Sequence, residues 1–358
     1  MSIWRFADLI APVPAEARVS LGEGSTPLIR SRRIGPAAGL NNLYFKLETS
    51  NPAGSYKDRF ACVAISDMCA RRKTRVIATS SGNAGAALAA YSAAAGIECH
   101  IAVAETAPDS KLRQMLAYGA QIFRIRGFGL DPDLSERAFD QLRRIASRAD
   151  SALHISAYTF SPVGMTGVQT IGYELAEQLP ELDQVYAPAG SGGLCIALAR
   201  AYAQLLDRGL LAKRPAIEVV QPVGNDTIAT PLATGAERAR NVVVETKISG
   251  LQVPNVIDGH QALAECRATG GSGHAVPDEL IWETQRQLAR DEGVFAEPAG
   301  AAALAAVLQA ASRGQLRPDA RIACVVTGTG FKDESAVARM IGDATAPMIE
   351  ISDLEHME

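Results

Sequence analysis

Arg75-Val76-Ile77-Ala78-Thr79-Ser80-Ser81-Gly82-Asn83-Ala84-Gly85 joins a short β-like run to a polar loop and the start of a helix. An alanine-rich stretch from Ala84 to Ala95 follows, and Glu98 to Ala104 is again strand-like. Strand, loop, helix, strand is a βαβ unit, and such units build parallel sheets. The same alternation extends in both directions. Upstream, Leu43 to Leu47 reads as a strand and Tyr56 to Arg71 as a helix. Downstream, Asp109 to Tyr118 is helical, Gln121 to Ile125 a strand and Ser135 to Arg148 helical.

After Gly164 the style repeats. Helices are expected at about Val168 to Gln178, Cys195 to Leu206, Asp278 to Asp291 and Ala301 to Ser312. Strands are expected at Gln184 to Ala187, Ile217 to Gln221 and Arg321 to Val326. The fold class is α/β, with two lobes, each a mostly parallel sheet flanked by helices. Ligands of such sheets bind outside the carboxyl ends of the strands, so a cleft between the lobes is the expected site.

Length agrees, because 358 residues exceed what one core usually supports. A hydrophobic share of 47% against 21% charged residues is a globular balance. The net charge of −4 gives no nucleic-acid footprint, which needs clustered Lys and Arg. Arg71-Arg72-Lys73 reads instead as a helix C-terminus complementing its dipole. The six cysteines, Cys62, Cys69, Cys99, Cys195, Cys266 and Cys324, form no C-x-x-C pair, so no zinc or redox site is expected. The histidines, His100, His154, His260 and His274 among them, lack metal-ligand spacing. They read as structural or surface histidines, with a flexible glycine-rich loop reaching the site as the alternative for His274. No basic region followed by an apolar run opens the chain, and no apolar stretch is long enough for a membrane. A reduced, cytoplasmic compartment is expected.

Four loops have the composition of ligand loops. Ser50 to Arg59 places Lys57 at a helix start, where the dipole disfavours its charge; a neutral amine can attack a carbonyl. Taken alone it also reads as a surface lysine. Thr79 to Gly85 sets hydroxyls and amides at a helix N-terminus, an anion site. Ser81 or Asn83 is also a candidate N-cap there. Pro188 to Leu194 carries three glycines before a helix, suited to cradling a phosphate or to a tight turn. It matches neither the dinucleotide fingerprint nor the P-loop. Val326 to Asp333 follows a strand and sets Thr327 between small residues.

In this order the loops resemble the fold-type-II pyridoxal-phosphate enzymes of the tryptophan synthase β family, and threonine synthases within it. Leu21 to Leu28, Asn51 to Arg59, Glu297 to Ala302 and Thr327 to Asp333 are similar to motifs of that family. The resemblance implies pyridoxal 5'-phosphate as cofactor. It makes Lys57 the Schiff-base lysine and the base at the substrate α-carbon. It implies that Asn83 binds the phenolic oxygen, that Gly190, Ser191, Gly192, Gly193 and Leu194 hold the phosphate, and that Thr327 faces the pyridine nitrogen. Ser80, Ser81, Gly82 and Ala84 would receive the substrate carboxylate. It further implies a larger cofactor-binding lobe of residues 1–59 plus 164–345, a smaller mobile lobe of residues 60–163, a C-terminal tail of residues 346–358, and a homodimer. A hydroxyl cannot hold a pyridinium by charge as a carboxylate can. That favours expelling a leaving group at Cβ or Cγ over transamination.

The chain departs from threonine synthases where they hold the substrate phosphate. Their segment reads roughly Asn-Ser-x-Asn-Pro-x-Arg-x-x-Gly-x-Lys-Thr. Here Gly164 stands at the arginine position and Gln169 at the lysine position. Ser191 replaces an asparagine, and Ala84 stands where threonine is common. Losing a bidentate arginine removes the strongest phosphate partner. Gly164 and Gln169 are therefore expected to face the substrate, with Arg59 or Lys111 as substitute anchors. A small amino acid is the expected substrate, by elimination or replacement. O-Phosphohomoserine turnover to threonine, β-replacement from O-phosphoserine or O-acetylserine, and serine or threonine dehydration all stay open. With 25 residues after Asp333, an added regulatory domain is not expected. A reading of another class is a silent cofactor-binding protein.

Overall fold

A computed structural model describes residues 2–351. The strands are β1 (Leu28–Arg30), β2 (Leu43–Leu47), β3 (Arg75–Thr79), β4 (Glu98–Ala104), β5 (Gln121–Ile125), β6 (Ser151–Leu153), β7 (Gln184–Pro188), β8 (Ala216–Pro222), β9 (Gly273–Val276) and β10 (Ile322–Val326). The helices are α1 (Ile34–Ala37), α2 (Lys57–Ala70), α3 (Asn83–Ala95), α4 (Asp109–Ala117), α5 (Pro132–Ala146), α6 (Pro162–Gln178), α7 (Gly193–Asp207), α8 (Ala229–Ala233), α9 (Gly259–Ala268), α10 (Asp278–Glu292), α11 (Pro298–Ser312) and α12 (Glu334–Ile341).

Two sheets form. One has the order β1-β2-β10-β7-β8-β9 and is parallel except for β1 on β2. The other has the order β5-β4-β3-β6 and is parallel throughout. The second sheet uses only residues 75–153, inside the stretch expected as the smaller lobe. The expected boundary at 59/60 falls inside α2, which packs on both α6 and α3. α2 therefore joins the two halves. Of the expected tail, residues 346–351 are described and irregular, and 352–358 lie outside the described residues.

Covered on both faces, β10 is apolar and buried at all five positions. Small residues set close spacings elsewhere. A Cβ on Gly167 of α6 would stand 2.0 Å from the Arg59 carbonyl oxygen, so the α2–α6 crossing requires glycine there. A Cβ on Gly85 would meet the Ser80 carbonyl oxygen at 2.3 Å.

Beneath the α2–α6 contact lies a buried ionic cluster. Arg59 donates to Glu48 Oε2 and to Glu174 Oε1, each at 2.7 Å. Lys46 Nζ donates to Glu174 Oε2 at 2.6 Å, and Thr26 Oγ1 donates to Glu48 Oε1 at 2.7 Å. Each charge is paired and hydrogen-bonded, as burial demands. The cluster ties the strap at Thr26, β2, α2 and α6 together behind the cleft. Among the described residues no helix is long and apolar enough to cross a membrane.

Candidate active site

A cavity of about 520 Å³ opens where β3, β7 and β10 end, between the two sheets. Thr79, Pro188 and Thr327 mark those strand ends on its wall. Of the expected site residues, Lys57, Ser80, Ser81, Gly82, Asn83, Ala84, Gly190, Ser191, Gly192, Gly193, Leu194 and Thr327 all line it.

Lys57 opens α2 and is held there by its loop. Asp58 accepts from the Ala53 amide at 2.6 Å and the Ser55 amide at 3.3 Å, which folds the chain back before the helix. Lys57 Nζ donates to Ser156 Oγ at 2.7 Å and lies 4.5 Å from the Tyr56 ring centroid. Its amine is pushed down to about 8. Burial is the main cause, and the carboxylates of Asp258 and Glu297 oppose it.

Asn83 opens α3, and its Nδ2 donates to Glu297 Oε1 at 2.8 Å across the cleft. Burial pushes the Glu297 carboxyl up to about 7, against Lys332 and the Asn83 hydrogen bond. Gly328 leaves room for that carboxyl, since a Cβ there would lie 2.4 Å from Glu297 Oε1. The expected side-chain cap on α3 is not found. Gly82 is the N-cap residue and no side chain caps the helix. α7 is likewise uncapped, with Gly192 at φ +100° before it. Two helix N-termini thus present first-turn amides to one cavity, an arrangement that attracts anions.

Three further expectations fail, and with them the alternative reading of His274. Gly164 packs in α6 against Phe60 and Ala64, and a Cβ there would clash with both at 2.9 Å. Gln169 is buried, donating to Tyr158 Oη at 3.2 Å and accepting from Tyr173 Oη at 2.9 Å. Neither lines the cavity. Glycine at 164 and 167 lets α6 approach α2, which turns this face of α6 into core. Arg59 is consumed by the ionic cluster and is no substitute anchor. His274 is not in a flexible loop but on β9, its Nε2 3.0 Å from Glu218 Oε2.

Lys111 does line the cavity, as do Ser156, Gln114, Ser249, Gln252, Glu297 and Lys332. Glu297 and Lys332 were visible as motif members without a role. Ser156 had no signal, because it follows the three-residue strand β6.

Residues 19–328 match the family model described as pyridoxal-phosphate dependent enzyme. The chain belongs to that family. It is 32% identical over 347 residues to the threonine synthase of Methanocaldococcus jannaschii, covering 95% of this chain and 82% of the relative. It is 30% identical over 344 residues to the threonine synthase of Mycobacterium leprae, covering 95% and 91%. Among solved structures it is similar to a processed threonine deaminase isoform from Solanum lycopersicum, with TM-score 0.75 and 21% identity over 96% of this chain and 88% of that one. It also matches maize serine racemase, with TM-score 0.72 and 25% identity over 92% and 93%. The fold is that of fold-type-II enzymes, and the family's cofactor is pyridoxal phosphate. The residues fit that group. Its aldehyde needs an amine, its phosphate needs amides at a helix N-terminus, and its phenolic oxygen needs a donor. Lys57, the α7 start and Asn83 offer these around one cavity.

Proposed function

We propose that this member of the family eliminates or replaces a leaving group at Cβ or Cγ of a small amino acid. The convergence of Lys57, Asn83, the Gly190 to Leu194 loop and Thr327 on one cavity carries this reading. Bound pyridoxal phosphate supplies the electron sink that makes the substrate α-proton removable. Lys57 would hold the cofactor's aldehyde carbon, and its amine is the group placed to take the substrate α-proton. An amine pushed down toward neutrality suits that exchange. Amides of Gly190, Ser191, Gly192, Gly193 and Leu194 would hold the cofactor phosphate. Asn83 would donate to the phenolic oxygen, and Glu297, which accepts from the same nitrogen, fixes the orientation of that amide. The Thr327 hydroxyl would serve the pyridine nitrogen, and the Ser80 to Ala84 loop would take the substrate carboxylate.

The substrate need not be O-phosphohomoserine. The side-chain cations that line the cavity are Lys57, Lys111 and Lys332, with no arginine among them. A second reading, threonine formation, is favoured by the similarity to curated threonine synthases. Purified enzyme assayed on O-phosphohomoserine, O-phosphoserine, O-acetylserine, serine and threonine separates the two. Efficient release of threonine and phosphate from the first establishes the second reading as the particular reaction, and no elimination or replacement from any of the five removes the proposal. We propose a homodimer as the working assembly, which sedimentation equilibrium measures directly.

A further inference from the structure

Lys57 alternates between anchor and proton carrier in the reading above, so its nitrogen must return to one place in each cycle. Among the described residues, Ser156 is the side chain that hydrogen-bonds it, at 2.7 Å. Ser156 belongs to neither the cofactor cradle nor the carboxylate loop.

The segment that carries Ser156 is pinned on both sides. His154 N donates to the Ile77 carbonyl at 2.9 Å, and Ile155 N donates to Ser161 Oγ at 3.2 Å. Beyond it, Tyr158 N and Thr159 N donate to the two oxygens of Asp258 at 2.7 and 3.0 Å. Ser156 Oγ itself donates only to Met165 Sδ, at 3.7 Å. A thioether is a weak acceptor, so the hydroxyl hydrogen is readily redirected. A hydroxyl accepts from an ammonium and donates to the lone pair of an amine. It therefore serves both protonation states of Lys57. A carboxylate in its place would lock the ammonium form. The charged groups felt by Lys57, Asp258 and Glu297, act through space without hydrogen-bonding it. The remaining neighbour is the Tyr56 ring.

We infer that Ser156 is a positioning residue that holds the Lys57 amine, charged or neutral, in place for proton transfer at the substrate α-carbon. The inference rests on the reading of Lys57 as the reacting amine.

The test uses the holoenzyme with L-alanine, which has no leaving group. Exchange of its α-proton with D2O, followed by NMR, gives kcat and KM. In parallel, Lys57 acetylation at saturating L-alanine is followed against pH by mass spectrometry. Of the two hydrogen bonds the charge-assisted one is the stronger, so Ser156→Ala takes more from the ammonium than from the amine. Its acetylation midpoint should fall by about one pH unit, a tenfold change in the ionisation equilibrium. Its kcat should fall about tenfold or more, with KM within about twofold. Ser156→Thr should restore both, and Ser156→Asp should move the midpoint upward. An unmoved midpoint in Ser156→Ala, or a KM that rises in step with the loss of kcat, overturns the inference. If borohydride fixes the cofactor to the wild type but not to Lys57→Ala, read by mass spectrometry, that failure belongs to Ser156 alone. If it fixes the cofactor to Lys57→Ala as well, the reading of Lys57 fails and takes this inference with it.

Discussion

Lys57 shows how far single residues can be read. Its place at a helix start was legible, and the drop in its pKa was expected from the helix dipole. The structure assigns that drop chiefly to burial, which no local pattern reveals. Lys57→Ala should no longer take up the cofactor covalently on borohydride reduction, and its activity should fall about a thousandfold or more, read by mass spectrometry and turnover. Glu297 gives a second prediction, on stability. Its folded pKa is raised from 4.5 to about 7, so between those values the folded chain holds a proton that the unfolded chain has released. Stability of the cofactor-free protein should then fall as pH rises through that window, by at most about 1.4 kcal/mol per pH unit from this group. Asp58, raised from 3.8 to about 7 by burial, adds to the same slope. Urea midpoints between pH 5 and 7 should fall less steeply in Glu297→Gln, which still offers Asn83 an acceptor. Equal slopes in variant and wild type would refute the assignment.

At the scale of elements, the alternation of strands and helices is legible for most of the longer elements, but α8, α9 and α12, of five, ten and eight residues, are not among those the sequence reading places. β1, β6 and β9 have three or four residues, too few to show a period. Helix starts were read late at α6 and α11, because Pro162 and Pro298 look like loop residues although proline is at home in a first turn. The same effect hid the face of α6. Gly164 and Gln169 stand at positions where threonine synthases carry cations, yet packing against α2 turns both into the core. Gly164→Arg is thus expected to bury an unpaired charge against Phe60 and Ala64, at a cost of about 3 kcal/mol or more. It should lower the urea midpoint without raising turnover of O-phosphohomoserine. A stable Gly164→Arg protein with new phosphate release would show that α6 tilts to present this position.

The whole molecule is held across its cleft by polar contacts that no linear pattern announces, since their partners lie 61 or more residues apart in sequence. On one side α4 meets the loop after β10. Lys332 Nζ donates to Gln114 Oε1 at 2.5 Å, Arg113 pairs with Glu334 at 3.0 Å, and Lys111 lies 4.0 Å from Asp333. Gln114 also donates to the Ala53 carbonyl at 3.1 Å, within the lysine loop. On the other side Asp258 holds Tyr158 and Thr159. An opening of the cleft toward α4 would break the first set and leave the buried Arg59 cluster behind it intact. Gln114 is the member shared by Lys332 and Ala53, so it should govern that opening. The exposed Arg113–Glu334 pair, more than half accessible on both partners, should contribute little. Losing one net hydrogen bond costs about 1 kcal/mol, which is about fivefold in an opening equilibrium, and Gln114→Ala loses two. Gln114→Ala should therefore raise amide hydrogen exchange about fivefold or more in α4 and in residues 328–336. Arg113→Ala should leave it nearly unchanged. Exchange that rises equally in both variants, or not at all in Gln114→Ala, would place the opening motion elsewhere.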